Sequence, residues 1–370
     1  MTAKIKVLVI DDSAVVRKMI CDALAKDAQI EVVGTAPDPY IARDKILELN
    51  PDVLTLDIEM PRMDGLTFLK ILQQHKPIPT IIISSLTQTG SKAALEALAN
   101  GAVDVLAKPT SAYSIGNLGE QLAARIKTAA GAKMFKRAAT TVIAPATPGK
   151  LGSASLIHRS ASHWHPRQII TIGSSTGGVE ALIAVLPHLP AHLPGMAIVQ
   201  HIPPHFSKAL ADRLAAHCAF PVREAVDGDL LTPNLALVAP GDFHMTLSWA
   251  GTGYRVALNQ NSPVHHCRPA VDVMFRSVAE VAGARITSVI LTGMGGDGAL
   301  GMKAQKAAGA RTIAQDQATS IVYGMPRAAA ELGIVDQVLP LPKIADGIVQ
   351  SVVVQSGGTV AAPTREPALA

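Results

Sequence analysis

The chain has 370 residues, of which 48% are hydrophobic, 17% charged and only 3% aromatic, so it is globular, has aliphatic cores and is long enough for two ordinary domains. Its net charge of +4 is local: residues 1–130 carry 14 Lys/Arg against 15 Asp/Glu, residues 131–166 carry five against none, and residues 167–370 carry 14 against 14. Neither flank has the basic excess of a nucleic-acid-binding domain, and no nucleic-acid partner is expected.

Met1-Thr2-Ala3-Lys4 leads directly into an apolar strand without signal-peptide organisation, and no apolar run reaches the length of a membrane span. A cytoplasmic protein, not embedded in a membrane, is expected. Cys21, Cys218 and Cys267 are odd in number and far apart, which suits reduced thiols better than a disulfide framework.

Strand-like runs at residues 5–10, 30–34, 53–56, 80–83 and 102–106 alternate with helical segments, and five βα units predict a parallel sheet covered on both faces. Asp38-Pro39 reads as a helix N-cap with proline in the first turn, and Asn100-Gly101 as a helix stop. Ligands of such sheets sit at the carboxyl ends of the strands. There the sequence places Asp11-Asp12, Asp57, Ser84-Ser85 and Lys108-Pro109. Three converging carboxylates need a cation, and oxygen ligands of this kind suit Mg²⁺; a lysine and a hydroxyl at the same edge suit a phosphoryl group.

On those residues the first 128 positions resemble a response-regulator receiver domain, which has a flavodoxin-like (βα)5 fold. The resemblance implies that Asp57 accepts the phosphoryl group and that Asp11 and Asp12 hold Mg²⁺ with Asp57. It further implies that Glu59 lends its backbone carbonyl to the metal and that Ser84 and Lys108 meet the phosphoryl oxygens. The aromatic switch position of some receivers falls on Val105, so an aromatic-rotamer mechanism does not carry over.

From residue 129 to 166 the composition shifts to Ala, Thr, Pro, Ser and Gly with scattered Lys and Arg and no sustained period, the pattern of a linker. His158, His163 and His165 lie there and read as solvated linker histidines.

The second half opens on residues 168–178. A β-branched run leads to Gly173-Ser174-Ser175-Thr176-Gly177-Gly178, and then Val179, Leu182, Ile183 and Leu186 form one apolar helical face. Gly173-x-Ser175-x-Gly177 satisfies the nucleophile-elbow pattern, although such turns also serve as plain packing points. A strand at residues 196–200 is followed by His201, and another at 288–291 runs into Thr292-Gly293-Met294-Gly295-Gly296-Asp297-Gly298. A serine, a histidine and an aspartate thus each follow a predicted parallel strand, where they can meet. Serine needs an adjacent base, histidine supplies one near neutral pH, and a carboxylate fixes its tautomer. The order Ser, His, Asp is not that of α/β-hydrolases. His188, His192 and His217 read as surface groups, whereas His205, His244, His265 and His266 could line a site; His265-His266-Cys267 is a weak metal pattern. A rival reading remains open on spacing. Gly293-x-Gly295-x-x-Gly298, with Asp316 18 residues beyond it, matches a dinucleotide fingerprint.

Longer segments, residues 172–178, 200–204, 239–245, 268–275, 291–298 and 314–326, resemble the catalytic domain of the CheB family of chemotaxis protein-glutamate methylesterases. The resemblance implies a doubly wound, mainly parallel α/β domain with Ser175 as nucleophile, His201 as base and Asp297 as orienting acid. Thr176 and the Met294 N–H would support the site or its oxyanion. It also implies demethylation of glutamate γ-methyl esters on chemoreceptors with release of methanol, deamidation of receptor glutamines, and control by a chemotaxis histidine kinase through Asp57. No cofactor for the hydrolysis is implied. The expected organisation is a receiver at 1–128, a linker at 129–166, a catalytic domain at 167–355 and a disordered tail at 356–370. A receiver-linked oxidoreductase and a non-catalytic regulator are the two readings from other classes.

Overall fold

The computed structural model describes residues 3–85, 87–108, 115–132 and 164–356. Most of the expected linker, with His158 and His163, and all of the expected tail but Ser356 lie outside the described residues.

The N-terminal unit alternates β1 (Ile5–Ile10), α1 (Ala14–Leu24), β2 (Ile30–Ala36), α2 (Pro39–Leu49), β3 (Val53–Asp57), α3 (Gly65–His75), β4 (Thr80–Ser84), α4 (Gln88–Ala99), β5 (Asp104–Ala107) and α5 (Ile115–Ala130). Its parallel sheet has the order β2-β1-β3-β4-β5, the flavodoxin-like winding expected from the sequence. Asp38 caps α2 by accepting the Tyr40 and Ile41 N–H groups, ahead of Pro39 in the first turn. Strand β5 starts two residues later than the apolar run predicts. Gly101 takes φ 99° and Ala102 N donates to Ala97 O, so these residues finish the turn after α4 and cannot join the sheet.

The second unit holds two sheets. Strands β6 (Ile169–Ser174), β7 (Gly195–Gln200), β8 (Val222–Glu224), β10 (Ala236–Val238), β13 (Ile286–Ile290), β14 (Arg311–Gln315) and β15 (Gln337–Leu339) form a seven-stranded parallel sheet ordered β15-β14-β13-β6-β7-β10-β8. Strands β9 (Leu230–Leu231), β11 (His244–Trp249) and β12 (Tyr254–Asn259) make a small antiparallel sheet that the sequence reading did not foresee. The helices are α6 (Gly178–Val185), α7 (Phe206–Ala215), α8 (Val271–Ala282), α9 (Ala299–Ala307), α10 (Met325–Glu331) and α11 (Ile344–Gln355).

Alternation along the central strands sorts the core into two layers. Ile170, Ile172, Met196 and Ile198 pack with Leu182 of α6, Leu210 of α7 and Ile348 of α11. Ile169, Ala197 and Val199 face the other way, toward Phe275 and Val278 of α8 and Met245 and Val256 of the small sheet. Both faces of the sheet are therefore covered, which is why its strands read as continuous apolar runs. The first layer does not stop at the unit boundary: Leu95 and Leu98 of α4 belong to the same apolar cluster, and Arg213 of α7 donates to Leu95 O at 2.9 Å.

Candidate active site

Two sites lie at strand ends. In the N-terminal unit Asp11 follows β1, Asp57 ends β3, Ser84 ends β4 and Lys108 follows β5. Lys108 Nζ lies 2.7 Å from Asp57 Oδ2 and 3.2 Å from Asp11 Oδ2. Carboxylate oxygens of Asp11, Asp12 and Asp57 all fall within 4.8 Å of one another. Burial pushes the Asp57 carboxyl up to about 6, against the pull of Lys108 and with help from the Asp11 charge. Burial raises Asp11 as well. One lysine thus pairs with two of three clustered carboxylates, and buried Asp11 Oδ2 has only Lys108, at 3.2 Å, against it. A hard divalent cation fits that donor set. Glu59 N donates to Asp57 Oδ1 at 3.2 Å, and its side chain is exposed. Ser84 is buried at the same edge, where its hydroxyl donates to Gly90 O.

In the second unit, β13, β6 and β7 are neighbours, and the chain leaves β6 in one direction and returns through β13 on its other side. This is a topological switch point, where a crevice opens at the strand ends. Ser175 follows β6, His201 follows β7 and Asp297 lies in the loop after β13. All three are buried. His201 Nδ1 lies 3.1 Å from Ser175 Oγ, and His201 Nε2 lies 2.7 Å from Asp297 Oδ2. With the carboxylate holding the Nε2 proton, Nδ1 is left as the lone-pair acceptor facing the serine. The Gly173-x-Ser175-x-Gly177 turn is not strained at its serine: the positive φ falls on Gly177, at 77°, which caps α6. Gly293 has no room for a side chain, since a Cβ there would come within 2.8 Å of the Ser175 Cβ.

Each arm has its own support. Gln200, buried between them, donates from Nε2 to Ser175 O at 2.8 Å and His201 O at 3.0 Å, and accepts from Ser174 Oγ at 2.7 Å. Asp297 Oδ2 also accepts from Val271 N, and Oδ1 from Asp272 N and Gly298 N. The N-terminus of α8 thus points two amides and its dipole at the carboxylate. Burial acts to raise the Asp297 pKa, but His201 and these amides outweigh it and hold the group ionised. For His201, burial opposes the charged imidazolium, yet Cys267, with Sγ 3.4 Å from Nδ1, and Asp297 raise its pKa above the ordinary value.

A reaction that uses His201 as base needs the neutral ring, which predominates only above that raised pKa. The rate at which an active-serine phosphonate labels Ser175 should therefore rise with pH through a midpoint above that of free histidine. Cys267→Ala should move the midpoint to lower pH, because the sulfur that faces the imidazolium 3.4 Å from Nδ1 is lost. An unmoved midpoint would remove the thiol from this account.

The remaining sequence candidates separate. His244 is buried, where Ser262 O and Ala270 N partner its ring, while His188, His192, His205 and His217 are exposed. His265-His266-Cys267 does not converge on one point: Cys267 faces His201, His265 faces Asp272 and His266 is exposed. The glycines of the dinucleotide-like pattern shape the loop that delivers Asp297, and Asp316 is engaged by the Thr319 N–H and hydroxyl. Thr176 turns its hydroxyl to Asp104 of the N-terminal unit, at 2.7 Å, and the Met294 sulfur lies against the Thr128 hydroxyl of α5. Gln200, Cys267 and Asp104 were missed as site residues. Gln200 lies within a sequence segment already singled out and Cys267 was weighed only in a weak metal pattern, whereas nothing local marks Asp104.

Two family models match the chain: the response regulator receiver domain over residues 7–117 and the CheB methylesterase over residues 170–348. A Syntrophus aciditrophicus protein named protein-glutamate methylesterase/protein-glutamine glutaminase 2 is 51% identical over 350 residues, covering 95% of this chain and 100% of that one. A Pseudomonas aeruginosa protein of the same name is 47% identical over 356 residues, covering 96% and 99%. The crystal structure of the Thermotoga maritima CheB methylesterase catalytic domain is 40% identical with a TM-score of 0.49, covering 50% of this chain and 97% of that one. Among the described residues no helix is long and apolar enough to cross a membrane.

Proposed function

The chain belongs to the CheB family of receiver-linked protein-glutamate methylesterases, and from that premise we propose that it hydrolyses glutamate γ-methyl esters on chemoreceptors and deamidates receptor glutamines under phosphorylation control. The observation that carries the reading is His201 bridging Ser175 and Asp297 through its two ring nitrogens. Ser175 Oγ attacks the ester carbonyl as His201 Nδ1 takes its proton. Collapse of the tetrahedral intermediate expels methanol, protonated by His201, and leaves an acyl-enzyme. Water, deprotonated by the same nitrogen, then releases the glutamate carboxylate and restores Ser175. Asp297 holds the ring's orientation and balances its transient charge. A glutamine amide follows the same course with ammonia as the leaving group. Thr176 and the Met294 N–H support the reacting carbonyl.

Residues 1–128 act as the receiver and 167–355 as the catalytic domain, joined by a linker at 129–166 and followed by a tail at 356–370. Asp57 accepts the phosphoryl group from a chemotaxis histidine kinase. Asp11, Asp12, Asp57 and the Glu59 carbonyl would hold Mg²⁺, which would neutralise charge on the phosphoryl oxygens, and Ser84 and Lys108 would contact those oxygens. The protein works in the cytoplasm on the cytoplasmic helices of its receptors.

A small-molecule phosphodonor with Mg²⁺ should accelerate methanol release from methylated receptor membranes by wild type, on the order of tenfold or more for a two-state release. Asp57→Asn should show no acceleration. An equal response in both proteins would refute control through Asp57, and no methanol from wild type under any condition would refute the reaction.

A further inference from the structure

Asp104 stands at the start of β5, yet only 7% of it is accessible, and its partners come from both units. Its Oδ2 accepts from Thr176 Oγ1 at 2.7 Å and faces Arg125 Nη1 of α5 at 2.6 Å, while Oδ1 accepts from Val105 N. Thr176 is the residue after the proposed nucleophile. Asp104 also lines a narrow pocket of about 10 Å³ together with Ser175, Gln200 and His201, with Leu98 and Val103 among the other walls. That volume holds about one water molecule and cannot admit an ester side chain. A buried carboxylate at a boundary between two units is costly unless it is paired and hydrogen-bonded. Here the unit that supplies the carboxylate also supplies its counter-ion.

We propose that Asp104 is a built-in stand-in for the reaction product: its carboxylate takes the Thr176 hydroxyl that the γ-carboxyl group of the substrate glutamate uses when the N-terminal unit moves away. The proposal rests on the methylesterase reading, in which the product is a side-chain carboxylate differing from that of aspartate by one methylene. Arg125 keeps the mimic neutralised inside the interface, so closing the site does not strand a charge. The receiver therefore does more than fill space over Ser175. It satisfies the hydrogen bond that recognises the product.

The test uses the full-length chain and two readouts. Labelling of Ser175 by an active-serine phosphonate without phosphodonor should be on the order of tenfold faster in Asp104→Ala than in wild type, as expected for losing a charge-assisted hydrogen bond. Asp104→Ala must still take up a phosphoryl group on Asp57, which shows that its receiver is folded. If it does so and labels at the wild-type rate, the latch is overturned. The second readout needs no variant. With wild type opened by phosphodonor, a glutamyl peptide bearing the free carboxylate should slow labelling competitively, and more than the same peptide with norvaline in place of glutamate. Equal effects of the two peptides would overturn product mimicry. The Asp104→Ala comparison depends only on a reactive serine, so it reads the latch independently of the ester, whereas the peptide comparison reads product mimicry. Methanol release by phosphodonor-treated wild type reads that assignment separately.

Discussion

Ser175→Ala is expected to lower methanol release by about 10⁴- to 10⁶-fold, the cost of removing the nucleophile from a serine–histidine–aspartate set. The variant should fold. Ser175 Oγ meets His201 Nδ1, whereas the turn is held by main-chain bonds from Ser175 N to Thr292 O and from Gly178 N to Ser175 O, which alanine keeps. The loss should therefore appear in kcat with thermal unfolding almost unchanged. One other nucleophile lies within reach of the same nitrogen among the described residues, the Cys267 thiol at 3.4 Å. For that reason the measurement should be repeated in Ser175→Ala/Cys267→Ala. Methanol release above about one per cent of wild type in the double variant, far above the residual for a lost nucleophile, would end the case for Ser175.

Asp297→Asn is expected to cost about 10⁴-fold in kcat through the wrong histidine tautomer. The reason is visible in the donors around the carboxylate. Its two oxygens accept four N–H groups, three from the backbone of Val271, Asp272 and Gly298 and one from His201. An asparagine offers one oxygen and one NH₂ group, so two of these donors must face an NH₂. The amides cannot turn round, but the imidazole can change tautomer. The asparagine oxygen therefore goes to Asp272 and Gly298, its NH₂ goes to His201, and the ring proton moves to Nδ1, where it blocks the serine. Nitrogen NMR of the imidazole should report a proton on Nε2 in wild type above the His201 pKa and on Nδ1 in the variant. Retention of the Nε2 proton with full activity in Asp297→Asn would refute the orienting role.

The chemistry-bearing positions were legible because parallel sheets carry their functional groups at one edge. Once β6, β7 and β13 were read as strands, Ser175, His201 and Asp297 had only one side on which to meet. Asp11, Asp57 and Lys108 followed the same logic in the first sheet. Part of what stayed hidden depends on contacts distant in sequence or on strands too short to show a period, whereas the six-residue β11 and β12 were missed although β12 alternates buried and exposed residues. β8 and β10 have three residues each, and β9 has two. Asp104 looked like an ordinary residue of a strand, and its bond to Thr176, 72 positions away, exists only because the two units pack together. The start of β5 was misplaced because Ala102 and Val103 prolong the apolar run of the strand, and the turn set by Gly101 overrode that pattern.

Gln200 gives the catalytic pair a spacer of fixed length. Its single amide nitrogen reaches the main-chain carbonyls of both Ser175 and His201, so the backbone segments that carry nucleophile and base are tied to one planar group. Both bonds lie within the second unit, so the proposed departure of the receiver leaves them in place and the catalytic pair assembled.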